Sequence, residues 1–246
     1  MAIRYFWIGS VGPLIFDDGA PVNDPQLLYD GAAAPNQNVL LISGEAKIAI
    51  GTGDLLLDCG ANKTLELSQV VYDDLQVGIS SIKKPVASSP TDRLYNHGIG
   101  AGVTFPVLGF AVNDYIYFDA QTSHGMKLNT IIDNHIHFVL PNTTNIGDKW
   151  QFQLDVIAAG IDTAWAVPAG SPFTAEHTIV ANDNTYHRVL EVADIPASND
   201  TVSTIYKCKL SRIAASANEY GSEVYLEFTD CHCQIDTMGS RQESVK

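Results

Sequence analysis

The chain has 246 residues, enough for one large β domain or two smaller ones with a core to bury. With 46% hydrophobic and 17% charged residues, it lies outside the composition of disordered chains. A formal net charge of -14, with 14 scattered Lys and Arg, argues against nucleic-acid binding by phosphate neutralisation and against attraction to an anionic membrane surface.

The first stretch, MAIRYFWIGSVGPLIFDDGA, is apolar but broken by Gly9, Gly12 and Pro13. It has neither a basic lead nor a clean hydrophobic run, so no signal peptide is expected. No apolar run reaches the roughly 18 residues of a membrane-spanning helix. Without a secretion signal, Cys59, Cys208, Cys231 and Cys233 are expected as free thiols. The next stretch, FDDGAPVNDPQLLYDGAAAPNQN, is loop-rich and suits an extended arm. An arm cannot bury Tyr5, Phe6, Trp7 and Phe16 by itself, so these side chains are expected to form an attachment surface. The predicted organisation is an N-terminal arm and attachment region over residues 1–66, followed by one domain over residues 67–246.

Strand signals then dominate in chain order: NVLLIS, AKIAI, DLLLDC, DYIYFDA, HIHFVL, WQFQLDVIAA, EHTIVA, HRVLEVADI, TIYKCKLSRIA and EVYLEFTDCHCQI. Clusters of Gly, Pro, Asn, Asp and Ser separate them. In WQFQLDVIA the apolar set is Trp150, Phe152, Leu154 and Ile157, with the alternation slipping near Val156. In TIYKCKLSRIA the pattern sets Ile205, Cys208 and Leu210 against Lys207, Lys209 and Arg212. LELSQVVYDDL reads as one short helix, and KKPVASSPTDRLYNHGIGAG as a long surface loop. Many short strands with one wet face predict an all-β, antiparallel, jelly-roll-like β-sandwich.

Three stretches invite chemistry. LLLDCGANKTLEL resembles the retroviral aspartic protease signature, with Asp58 in the place of the catalytic acid. Cys59 stands where Thr or Ser belongs and no closing half of the pattern follows, so a strand ending in a turn is the preferred reading. His135 and His137 share one face if HIHFVL is a strand. A zinc or iron site would need a further ligand from His124 or His232, and the sequence offers no carboxylate or cysteine at ligand spacing beside them. The expectation is therefore no metal, with His135, His137 and His232 as the residues to watch. In DCHCQI, Cys231 and Cys233 share a face opposite His232 and are read as small buried hydrophobes. Strict alternation conflicts with Val224, Leu226 and Phe228 unless a bulge near Thr229-Asp230 switches the phase. No phosphate loop, nucleophile elbow or Ser/His/Asp set is found.

Several motifs in order resemble tailed-bacteriophage virion proteins. They are IGTGDLLLD and VVYDDLQVGISS, then QTSHGMKLNTIIDNHIHFVLPN, then EVYLEFTDCHCQIDTMGSRQESVK, spanning Ile50 to Lys246. The chain departs from that pattern at Phe138, where Trp is common, and at Cys233, where an aromatic is usual. The resemblance implies a non-enzymatic β-sandwich without cofactor, usually homotrimeric, assembled in the host cytoplasm. It would be displayed on the virion as a head fibre, capsid decoration or tail-fibre module, with capsid or tail proteins as partners. The alternative is a tail-fibre module binding a host receptor or glycan through residues 81–100 or 160–187, with Tyr95, Trp165 and Tyr186 as contacts.

Overall fold

A computed structural model describes residues 66–100, 102–196 and 201–239, with side chains from residue 71 onward, and four short strands before them. The chain divides into two compact units, residues 1–57 and 58–246. In the first, β1 (Arg4–Tyr5) pairs antiparallel with β2 (Phe16–Asp17), and β3 (Leu27–Asp30) with β4 (Val39–Ile42).

The second unit is an antiparallel β-sandwich. Its strands are β5 (Glu66–Asp74), β6 (Val77–Gly78), β7 (Thr91–Tyr95), β8 (Phe105–Phe110), β9 (Tyr115–Gln121), β10 (Ile132–Val139), β11 (Lys149–Ala159), β12 (Phe173–Thr178), β13 (Arg188–Ile195), β14 (Ile205–Ile213) and β15 (Val224–Thr237). One sheet runs β12-β11-β14-β9. The other runs β13-β10-β15-β8-β7, with β5 and β6 also on β15. β15 is the spine of this larger sheet: β10 lies along one edge, and β8, β6 and β5 take successive lengths of the other.

The core is made by side chains that alternate inward from both sheets. Phe110 of β8 meets Phe152 of β11 edge-on at 5.2 Å, and Phe138 of β10 meets Trp150 of β11 at 4.6 Å. Phe110, Phe138, Trp150 and Phe152 are completely buried, each burial stabilising by roughly 1.5–3 kcal/mol for a residue of this kind.

Four expectations change. LELSQVVYDDL contains strand β5, not a helix: its β-branched and aromatic run pairs with β15, and that pairing overrides the local helical spacing. The supposed loop at residues 83–102 contains β7, which pairs with β8. In β11 the alternation does not slip: Trp150, Phe152, Leu154, Val156 and Ala158 point inward, and Ile157 points out. In β14 the inward set is Tyr206, Cys208, Leu210 and Arg212. Arg212 is buried because its guanidinium donates to the carbonyls of Phe110, Ser222 and Tyr220 and to Glu219 Oε1 at 2.7 Å. Those partners replace the water it loses.

Candidate functional site

The sandwich presents two outer faces, and each gathers functional groups. The outer face of the four-stranded sheet carries every second residue of β11, β14 and β9. Tyr115 and Tyr117 stand edge to face, 5.5 Å between centroids. Lys209 lies over the Tyr115 ring at 4.7 Å, and Lys207 over the Trp165 ring at 5.7 Å. Lys207 also donates to Asp119 Oδ1 at 3.2 Å, and Gln153 donates to both Asp155 oxygens. Trp165 comes to this face because its loop folds back, with Ala166 and Ala158 exchanging backbone hydrogen bonds. Tyr117 remains 43% exposed and Trp165 49%. A hollow of about 500 Å³ beside them is lined by Tyr117, Asp155, Ile157, Val167 and Lys207 among others.

The outer face of the larger sheet is histidine-rich. On β10, His135 and His137 do share a face, while Asn134 and Ile136 point into the core. On β15 the phase switches. The pairing of β10 with β15 skips Glu227, between His137↔Phe228 and Phe138↔Leu226. This bulge lies just before Thr229-Asp230. Val224 and Leu226 therefore face the core, and so do Thr229, Cys231 and Cys233, leaving Phe228, Asp230 and His232 on the histidine side. Asn134 locks the register from beneath: its Nδ2 donates to Asp230 O at 2.8 Å and to Thr229 Oγ1 at 3.1 Å.

Asp230 thus sits, only 3% exposed, among three imidazoles. His137 Nε2 is 3.0 Å from Asp230 Oδ2, and His232 Nε2 is 3.4 Å from the same oxygen. His135 Nδ1 is 3.8 Å from Asp230 Oδ1, and among the described residues neither of these two atoms has a hydrogen-bond partner. A neutral His137 that donates from Nε2 accepts at Nδ1 from His187 Nε2, 2.6 Å away. The His137 ring also stacks on Phe228, 3.9 Å between centroids. Asp74 on β5 reaches His232 Nε2 at 3.1 Å. Burial lowers the pKa of His135, helped by the charge of His232, so its imidazole is held neutral. Burial opposes ionisation of Asp230, but the His137 hydrogen bond and the surrounding imidazoles outweigh it and hold the carboxyl below its ordinary range. Beside this cluster, Asp133, Glu191 and Asp194 crowd together. Burial first, then the hydrogen bond and charge of Asp194, raise Asp133, and the Asp194 hydrogen bond raises Glu191.

The sequence candidates fall as follows. His135 and His232 come together, with His137 behind them. His124 instead bonds Ser203 Oγ at 3.0 Å. The residue that pattern reading missed is Asp230, which stands two residues before His232 in the chain but beside His135 only through the strand register. Tyr95 donates to Asn184 O on the loop that carries Tyr186, whereas Trp165 belongs to the other sheet, so these three do not form one tip. Tyr5 pairs with Phe16 in the β1–β2 ladder; Phe6, Trp7 and Asp58 lie outside the described residues. Among the described residues Cys208, Cys231 and Cys233 are free thiols in the core, and burial pushes Cys231 up to about 12 and Cys233 to about 11. They are inert packing groups at neutral pH.

No protein family and no curated protein matches the chain. Among solved structures, TmCBM61, a carbohydrate-binding module in complex with β-1,4-galactotriose, is similar over 70% of this chain and 91% of its own, at 8% identity and a TM-score of 0.26.

Proposed function

We propose that the chain is a non-enzymatic component of a tailed-phage particle, attached through residues 1–66, whose sandwich binds carbohydrate on the outer face of the four-stranded sheet. The virion setting rests on the ordered motifs between Ile50 and Lys246. The binding role rests on one observation: two half-exposed rings, Tyr117 and Trp165, flank a row of Lys, Asp and Gln side chains. A sugar ring is amphipathic. Its C–H face stacks on an aromatic, and its hydroxyls need donors and acceptors in fixed positions. Lys207, Asp119, Gln153 and Asp155 supply both kinds and hold one another in place.

A glycan array probed with the purified chain tests this. Retention on at least one polysaccharide class is expected, weakened tenfold or more by Trp165→Ala and by Tyr117→Ala at unchanged melting temperature. No retention, or equal retention by both variants, overturns the binding role. The setting is tested separately: a chain lacking residues 1–30 should fold as a trimer yet be missing from purified particles, and its incorporation would overturn attachment by the arm.

A further inference from the structure

We propose that His135, Asp230 and His232 form a binding site for a divalent transition metal, zinc being the ion they fit best, and that it fastens β10 to β15. This goes beyond the proposed carbohydrate role and does not depend on it. One donor atom from each of the three residues lies within 4.8 Å of the others. Zinc holds nitrogen and oxygen donors at about 2.0–2.2 Å in a tetrahedron, which sets two donors roughly 3.4 Å apart. His135 Nδ1 and Asp230 Oδ1, at 3.8 Å, are already close to that separation.

Three observations point to a ligand rather than to a packed polar cluster. Asp230 is almost fully buried, and its Oδ1 has no partner among the described residues. His135 Nδ1, which faces it, has none either. A buried carboxylate oxygen and a buried imidazole nitrogen both left unpaired carry a desolvation cost that a shared cation removes. The third observation is the support behind the site. His137 holds Asp230 Oδ2 at 3.0 Å and is itself held by His187 and stacked on Phe228, so the carboxylate is aimed before any ion arrives. Metal ligands are commonly oriented by such outer partners.

The donor set selects the ion. Two imidazoles with one carboxylate suit zinc and its first-row neighbours, whereas calcium and magnesium require oxygen donors. Three protein donors leave a fourth position. Asp74, 62% exposed and already 3.1 Å from His232 Nε2, offers an oxygen for it from β5. The ion would then tie β5, β10 and β15 together, as a structural centre does.

The test is titration of Zn²⁺ into the full chain after chelator treatment and dialysis, followed by calorimetry and by metal content after gel filtration. One zinc per chain is expected, with a rise in melting temperature and no competition from excess Ca²⁺. His135→Gln and His232→Gln should each weaken binding tenfold or more. His97→Gln, whose imidazole pairs with Glu227 at 2.7 Å, should not. No saturable zinc uptake by the unaltered chain, displacement by Ca²⁺, or an equal loss in His97→Gln overturns the site. The titration of the unaltered chain decides the question even if a variant does not fold.

Discussion

The two outer faces of the sandwich are built from the same alternation, yet they treat charge in opposite ways. On the four-stranded sheet the charges stand in water: Lys207 and Asp119 are each nearly half exposed and meet at 3.2 Å. On the seven-stranded sheet Asp230 is drawn out of water and surrounded by rings. An exposed pair of the first kind is nearly neutral for stability and leaves its members available to a ligand. A buried carboxylate is strongly coupled to whatever satisfies it. The first face is suited to transient recognition at its surface, the second to a fixed internal structure.

The most severe way to break this contrast is to remove one carboxylate from each face. Asp230→Ala leaves His137 without its acceptor in a buried place and should cost about 2–3 kcal/mol in urea unfolding. Asp155→Ala on the opposite sheet should cost less than about 0.5 kcal/mol. Equal costs would erase the distinction.

A smaller effect sharpens it. Asp133 and Glu191 have pKa values raised in the folded state, so their contribution is fully present below the unfolded carboxylate pKa and is lost as pH rises through the folded value. Asp230 has the opposite sign: its contribution is present above the unfolded value and is lost as pH falls through the folded one. Asp194→Asn relieves the crowding and should stabilise the chain at pH 7 by a few tenths to about 1 kcal/mol, and much less at pH 3. Urea midpoints at the two pH values measure this; the same gain at both would remove the carboxylate repulsion as its cause.

The smallest effect lies on the other sheet. Hydrogen bonds from Lys149 and Ser216 hold the Glu176 carboxyl down to about 2. Its contribution is therefore present above the unfolded carboxylate pKa and fades as pH falls toward about 2. The unaltered chain and Glu176→Gln should differ in melting temperature at pH 6 and converge near pH 2. Divergence on acidification would show that the sign is wrong.

The sandwich was legible in the sequence because strands such as DYIYFDA and WQFQLDV alternate, and that period fixes which side is buried. β5 was not legible, since a run of mixed Leu, Glu and Val carries no clear period and becomes a strand only against β15. The site was half legible. The shared face of His135 and His137 follows from one strand alone. Asp230 joins His135 only after a bulge at Glu227 resets the last strand, and the sequence hinted at a bulge without fixing its position or its partner. His187 lies 50 residues from His137 and enters from the connection between β12 and β13, a pairing no local pattern encodes.

The spine role of β15 has a consequence for how the domain is made. β5, β6, β8 and β10 each have one edge that pairs with a strand following them in the chain by 85 residues or more, as in the pairing of Val139 with Tyr225. Such pairings close long loops, which slows folding. During synthesis these strands wait with open edges until residues 224–237 emerge, while the smaller sheet can already assemble from β9, β11, β12 and β14. The interval between those two events is when the chain is most exposed to pairing with the wrong neighbour, and shortening it is where a chaperone would have its largest effect.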